Sequence, residues 1–222
     1  MPTLGFIHVF EAGTDPAAPP LLLLHGTGGD EHNLLPLGRA LSPGSALLSP
    51  RGRVSEHGAA RFFARLSEGV FDPEEVAQRA QELAEFIAAA TKQYGLDATR
   101  LTAVGISNGA NIAAVLLQRH PTALGAAALH RPMVVLDQPA APGSLAGKRV
   151  LMTSGARDAL VPADHPHRLA APRSTCASWP TGTGSRARTC SPRRSGWTPG
   201  RTERAGAGEN FALKIGRDAA GR

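Results

Sequence analysis

Apolar positions along this chain alternate between short unbroken runs and helical spacing. Leu21 to Leu24 is a continuous aliphatic run, as expected of a strand covered on both faces. It stops at His25-Gly26-Thr27-Gly28-Gly29-Asp30, a glycine-rich loop. Phe6 to Phe10 alternates weakly and predicts an edge strand, Leu34 to Leu41 a short helix, and Ser45 to Ser49 a strand ahead of Pro50. Asp72-Pro73-Glu74-Glu75 is a strong helix start: an N-cap carboxylate, proline at the first helical position, and glutamate at the capping-box position. Val76, Ala80, Leu83, Ile87 and Ala90 then share one face, running to Tyr94 and a stop at Gly95. Leu101 to Ile106 predicts a strand, Ala110 to Arg119 a helix, and Ala123 to Leu129 and Val150 to Ser154 two further strands. Strands alternating with helices predict an α/β fold with a doubly wound, mostly parallel sheet.

Composition divides the chain in two. Over 222 residues it is 42% hydrophobic and 5% aromatic, with no apolar run of the ~20 residues that a spanning helix needs. The net charge of +6 suggests an acidic partner, but residues 1–171 carry 14 Lys+Arg against 15 Asp+Glu, and residues 172–222 carry 10 against 3. Between Leu169 and Phe211 there is no Leu, Ile, Val, Met, Phe or Tyr. Such a stretch buries too little apolar area to offset chain entropy, so 172–222 is expected to be a disordered basic tail. Cys176 and Cys190 lie within it and are poor candidates for a structural disulfide. The first residues lack a basic stretch followed by an apolar core, so no secretory signal is predicted and the expected location is cytoplasmic.

The chemistry sits in residues 1–171. Gly105-Ile106-Ser107-Asn108-Gly109 matches G-x-S-x-G between a predicted strand and a predicted helix. There a sharp turn presents the serine hydroxyl above the sheet, and small flanking residues allow strand and helix to approach. His25-Gly26-Thr27-Gly28-Gly29 follows the first apolar strand, where a hydrolase draws an oxyanion-hole amide; the candidates are the backbone N–H groups of Thr27 and Asn108. No Lys-Ser/Thr follows, which excludes a phosphate loop of the Walker type. His25 is expected to hold the loop rather than act as a base. Asp158, after the strand at 150–154, has the chain order required of a triad acid.

Leu21 to Glu31, Ser49-Pro50-Arg51-Gly52, Arg61-Phe62-Phe63, Gly105 to Ala113, Arg131-Pro132-Met133 and Arg157-Asp158 to Val161-Pro162 together resemble the phospholipase/carboxylesterase family of α/β hydrolases, small capless enzymes related to acyl-protein thioesterases. The resemblance covers about residues 4–171. It implies a serine hydrolase acting on small-molecule carboxylic esters or thioesters, with no metal, organic cofactor or membrane. It also implies that Arg61, Phe62 and Phe63 line an acyl pocket, against the plainer reading that they are ordinary packing.

The resemblance fails where it should supply a catalytic histidine after the last strand. The histidines are at 8, 25, 32, 57, 120, 130, 165 and 167. His165 and His167 follow Asp158 too closely, and as a metal pair they lack an apparent third ligand. The last strand and helix of the fold are therefore expected to be missing or replaced. An out-of-frame reading of a GC-rich gene explains the change in composition. Shifted by one base, codons 181–183 permit Gly-His, and codons 189–198 permit an amphipathic helix. Two other readings stand beside an impaired esterase: an inactive hydrolase-fold binding protein, and a nucleic-acid-associated protein using the tail.

Overall fold

A computed structural model describes residues 4–155, 158, 160–162, 164–170 and 210–215. Strand β1 (His8–Glu11) is followed by β2 (Leu21–Leu24), helix α1 (Leu35–Leu41), β3 (Leu47–Pro50), and a hairpin of β4 (Val54–Glu56) and β5 (Ala59–Arg61). Then come α2 (Pro73–Tyr94), β6 (Thr102–Ile106), α3 (Asn108–Arg119), β7 (Ala126–His130), β8 (Arg149–Gly155), α4 (His165–Ala170) and β9 (Asn210–Ile215). The main sheet has the order β1-β3-β2-β6-β7-β8-β9. The four central pairings, from β3 to β8, are parallel; β1 and β9 join the two sides antiparallel. The expected α/β architecture with a mostly parallel sheet is what forms.

Both faces of this sheet are covered, which is why its central strands read as unbroken apolar runs. All four leucines of β2 are at most 4% exposed. Leu22 and Leu24 join the large core beneath α2 and α3, while Leu21 and Leu23 join Leu34, Leu35, Leu47 and Val104 on the α1 side. Helix α2 buries the predicted face, together with Phe86 and Thr91. Asp72 caps it by accepting the Glu74 N–H, and Gly95 ends it with φ 65°. Glu75 does not close a capping box. Its carboxylate accepts the Ala64 N–H at 3.1 Å and pairs with Arg79 at 3.0 Å, tying the helix to the preceding loop.

Several boundaries differ from the sequence reading, and one hairpin is additional to it. Helix α3 begins at Asn108, directly behind the serine. Residues 121–123 form a single 3-10 turn, so β7 starts later than expected, after Gly125. The β4–β5 hairpin was not anticipated; its turn is His57-Gly58, both with positive φ (51° and 85°), the two-residue geometry that suits strand twist. Within the predicted tail, Asn210–Ile215 pairs with β8 and supplies the seventh strand. The rest of 171–222, including Cys176 and Cys190, lies outside the described residues. Among the described residues, no helix is long and apolar enough to cross a membrane.

Candidate active site

The sheet order reverses direction between β2 and β6, and the loops leaving these two neighbouring strands meet at their carboxyl ends. Thr27 follows β2 and Ser107 follows β6. Ser107 has φ 51° and ψ −115°, a conformation L side chains rarely adopt and one that stores on the order of 1–3 kcal/mol. It is held there on both sides: its N–H donates to the His130 carbonyl at 2.9 Å, and its carbonyl accepts the Asn111 N–H at 2.9 Å. The flanking glycines are required by contact. A Cβ on Gly105 would stand 2.6 Å from the Gly109 carbonyl oxygen, and one on Gly109 would stand 2.0 Å from that of Leu24. A Cβ on Gly26 would lie 3.8 Å from Ser107 Cβ, which places the β2 loop beside the serine. Among the described residues, the backbone N–H groups of Thr27 and Asn108 have no hydrogen-bond acceptor.

His25 does hold the loop. It is 1% exposed; its Nδ1 bonds the Gly26 carbonyl at 2.7 Å and its Nε2 accepts the Gly52 N–H at 2.9 Å. Those partners fix a neutral ring, and burial pushes its pKa down. Arg61, Phe62 and Phe63 are 4%, 3% and 0% exposed, so they offer almost no surface to an acyl chain. Phe63 packs edge-on against Phe71, and Phe62 lies against the His25 ring. Arg61 donates to Thr27 Oγ1 at 2.7 Å and to the Phe63 carbonyl at 3.1 Å, facing the β2 loop from behind.

Asp158 lies in the loop after β8, as predicted, and its partner is Arg131, which follows β7. The guanidinium grips it through Nε at 2.6 Å and Nη2 at 2.8 Å, and the Leu160 and Val161 N–H groups donate to Oδ1 at 2.9 and 3.2 Å. The bidentate arginine, ahead of the two amides, holds the Asp158 carboxyl far below the usual carboxylate range. Because the folded value is depressed, the stabilisation is complete above the unfolded carboxylate value near ~4 and is lost as pH falls below it. Urea unfolding should therefore show Asp158→Asn clearly less stable than the parent at neutral pH, with the gap narrowing progressively as pH falls below about 4. A gap independent of pH would mean that the fold does not hold the Asp158 carboxyl below its unfolded value.

Arg131 and Asn111 were not singled out as site residues from the sequence. Asn111, 3% exposed on the first turn of α3, accepts the Met133 N–H at 2.7 Å and ties the β7 loop to the serine's helix. Nothing local marks that role, because the partners lie 22 residues apart. His130 and His165 are engaged elsewhere. His130 Nδ1 pairs with Thr153 Oγ1 at 2.8 Å, and His165 Nδ1 accepts the Val134 N–H at 3.1 Å. The His167 side chain lies outside the description. Among the described residues, no histidine ring hydrogen-bonds Ser107 or Asp158.

No family model matches the chain. It is 48% identical over 153 residues, spanning 69% of its own length and 75% of the relative's, to MhqD of Bacillus subtilis (strain 168), which carries the name of a hydrolase. Its fold is similar to that of the Bacillus cereus carboxylesterase, with a TM-score of 0.72 and 45% identity over 75% of this chain and 78% of that one. It is also similar to a carboxylesterase from Mesorhizobium loti, with a TM-score of 0.60 and 38% identity over 64% and 68% of the two chains.

Proposed function

Because this chain belongs to the carboxylesterase family of α/β hydrolases, we propose that Ser107 is its nucleophile and that its substrates are small carboxylic esters or thioesters. The observation that carries this reading is the strained Ser107 turn between β6 and α3, beside the β2 loop. In the proposed reaction, Ser107 Oγ adds to the ester carbonyl carbon and the oxyanion is held by the Thr27 and Asn108 amides. Collapse expels the alkoxide or thiolate, and water then releases the acid from the acyl-serine. Asp158 is the acid that would orient a histidine, and that histidine is the part this chain lacks. The tail at 172–222 is read as translation out of frame, on the grounds of its abrupt change in composition. The chain as it stands is thus an impaired esterase.

A fluorophosphonate tests the nucleophile without requiring turnover, since Ser107 Oγ displaces fluoride from phosphorus and keeps the phosphonyl group. The expected result is a slow, single adduct on Ser107 by intact and peptide mass, absent in Ser107→Ala. Modification elsewhere, or no adduct after long incubation, rejects the proposal.

A further inference from the structure

The β4–β5 hairpin and the residue that follows it touch Thr27, Gly28 and Asn108. The Ala60 carbonyl of β5 accepts the Gly28 N–H at 2.9 Å. Arg61 Nη1 donates to Thr27 Oγ1 at 2.7 Å, and the next residue, Phe62, donates its N–H to Asn108 Oδ1 at 2.7 Å. Two consecutive residues therefore reach Thr27 on one side and Asn108 on the other.

This segment is itself fixed. Arg61 Nε lies 3.2 Å from the Glu56 carboxylate across the hairpin and donates to the Phe63 carbonyl. Behind it, a Cβ on Gly52 would stand 2.3 Å from the Arg61 carbonyl carbon and oxygen, so the hairpin rests directly on that backbone. Gly52 in turn donates to His25 Nε2, at the root of the β2 loop. Asn108 shows what the contact is worth locally. Among the described residues its Nδ2 is buried without a partner, a penalty an apolar residue of similar shape would avoid. What the carboxamide contributes is its Oδ1, and Oδ1 is spent on Phe62. The burial of Arg61, a poor property in a residue meant to touch substrate, suits one that acts through its neighbours.

We infer that Arg61 and the Asn108 side chain are positioning residues: through the Thr27 hydroxyl and the Phe62 amide they set the separation of the Thr27 and Asn108 N–H groups around the developing oxyanion. The inference rests on the serine-hydrolase reading above. A pair of donors must be in place before charge develops, and small displacements of such donors are costly in rate.

The test is the second-order rate of Ser107 phosphonylation in the full chain, measured for Thr27→Val, Arg61→Met and the double variant. Thr27 is exposed, so Thr27→Val removes the hydroxyl without threatening the fold. Each single change should slow labelling by about fivefold to tenfold, the worth of one hydrogen bond, and the double should be no slower than Arg61→Met alone. Asn108→Leu, which frees the Phe62 N–H, should also slow labelling and raise amide hydrogen exchange at Phe62. Parental rates in Thr27→Val, or additive losses in the double variant, would overturn the inference while leaving the nucleophile intact. Absence of labelling in the parent overturns the serine-hydrolase reading itself, and the inference with it.

Discussion

Ester hydrolysis should rise by about 10⁴- to 10⁶-fold when the last quarter of the gene is read one base early, from near codon 171. In the shifted frame, codons 181–183 permit Gly-His, which follows Asp158 in the chain order the mechanism needs. A general base takes the proton from Ser107 Oγ as it attacks and returns it to the leaving alkoxide. Without one, a hydroxyl of ordinary pKa is a weak nucleophile at neutral pH. Among the described residues, the rings of His8, His25, His130 and His165 are already bonded to other groups, and no histidine ring bonds Ser107. Rates on short p-nitrophenyl esters, with intact masses to verify both proteins, measure the difference. Replacing the recovered histidine by alanine should return the enzyme to its starting rate. Equal activity in the two frames would show that another residue serves as base.

Gly109→Ala should be among the most destabilising single changes in the molecule, and it acts against local preference. Gly109 lies in the first turn of α3, where alanine is intrinsically better than glycine by about 1 kcal/mol. The added carbon would, however, stand 2.0 Å from the Leu24 carbonyl oxygen and 2.5 Å from that of His25. Both obstacles are backbone of the central strand and the loop that follows it, so no side-chain rotation relieves them. Net destabilisation of about 3 kcal/mol is expected, at the upper end for overpacking. Gly155→Ala is the control: among the described residues its new carbon would meet nothing nearer than 3.8 Å. Chemical denaturation should separate the two clearly, and similar midpoints would show that α3 can move off β2.

The central scaffold was legible because each piece carries its own signal. Leu21 to Leu24 must be covered twice, Asp72 and Gly95 bound a helix by their own conformational preferences, and a serine between two glycines at a strand end has few other uses. The β4–β5 hairpin was not legible in the same way. Its strands are three residues each and mix charged with small side chains, leaving only His57-Gly58 as a marker. The partner of Asp158 was hidden for a different reason. Arg131 and Asp158 are 27 residues apart, and they meet only because β7 and β8 align His130 with Thr153 at their carboxyl ends. The burial of Arg61, Phe62 and Phe63 likewise depends on where the hairpin docks, which no spacing along the chain encodes.

The backbone at Ser107 also bears on the history of this sequence. A left-handed φ held by a residue other than glycine is a standing cost, and Ser107→Gly would relieve it at the expense of the hydroxyl. In a lineage no longer selected for turnover, nothing would oppose that relief. On the proposed reading that 172–222 is out of frame, the strained serine marks a turn that was shaped for its hydroxyl while the frame was intact.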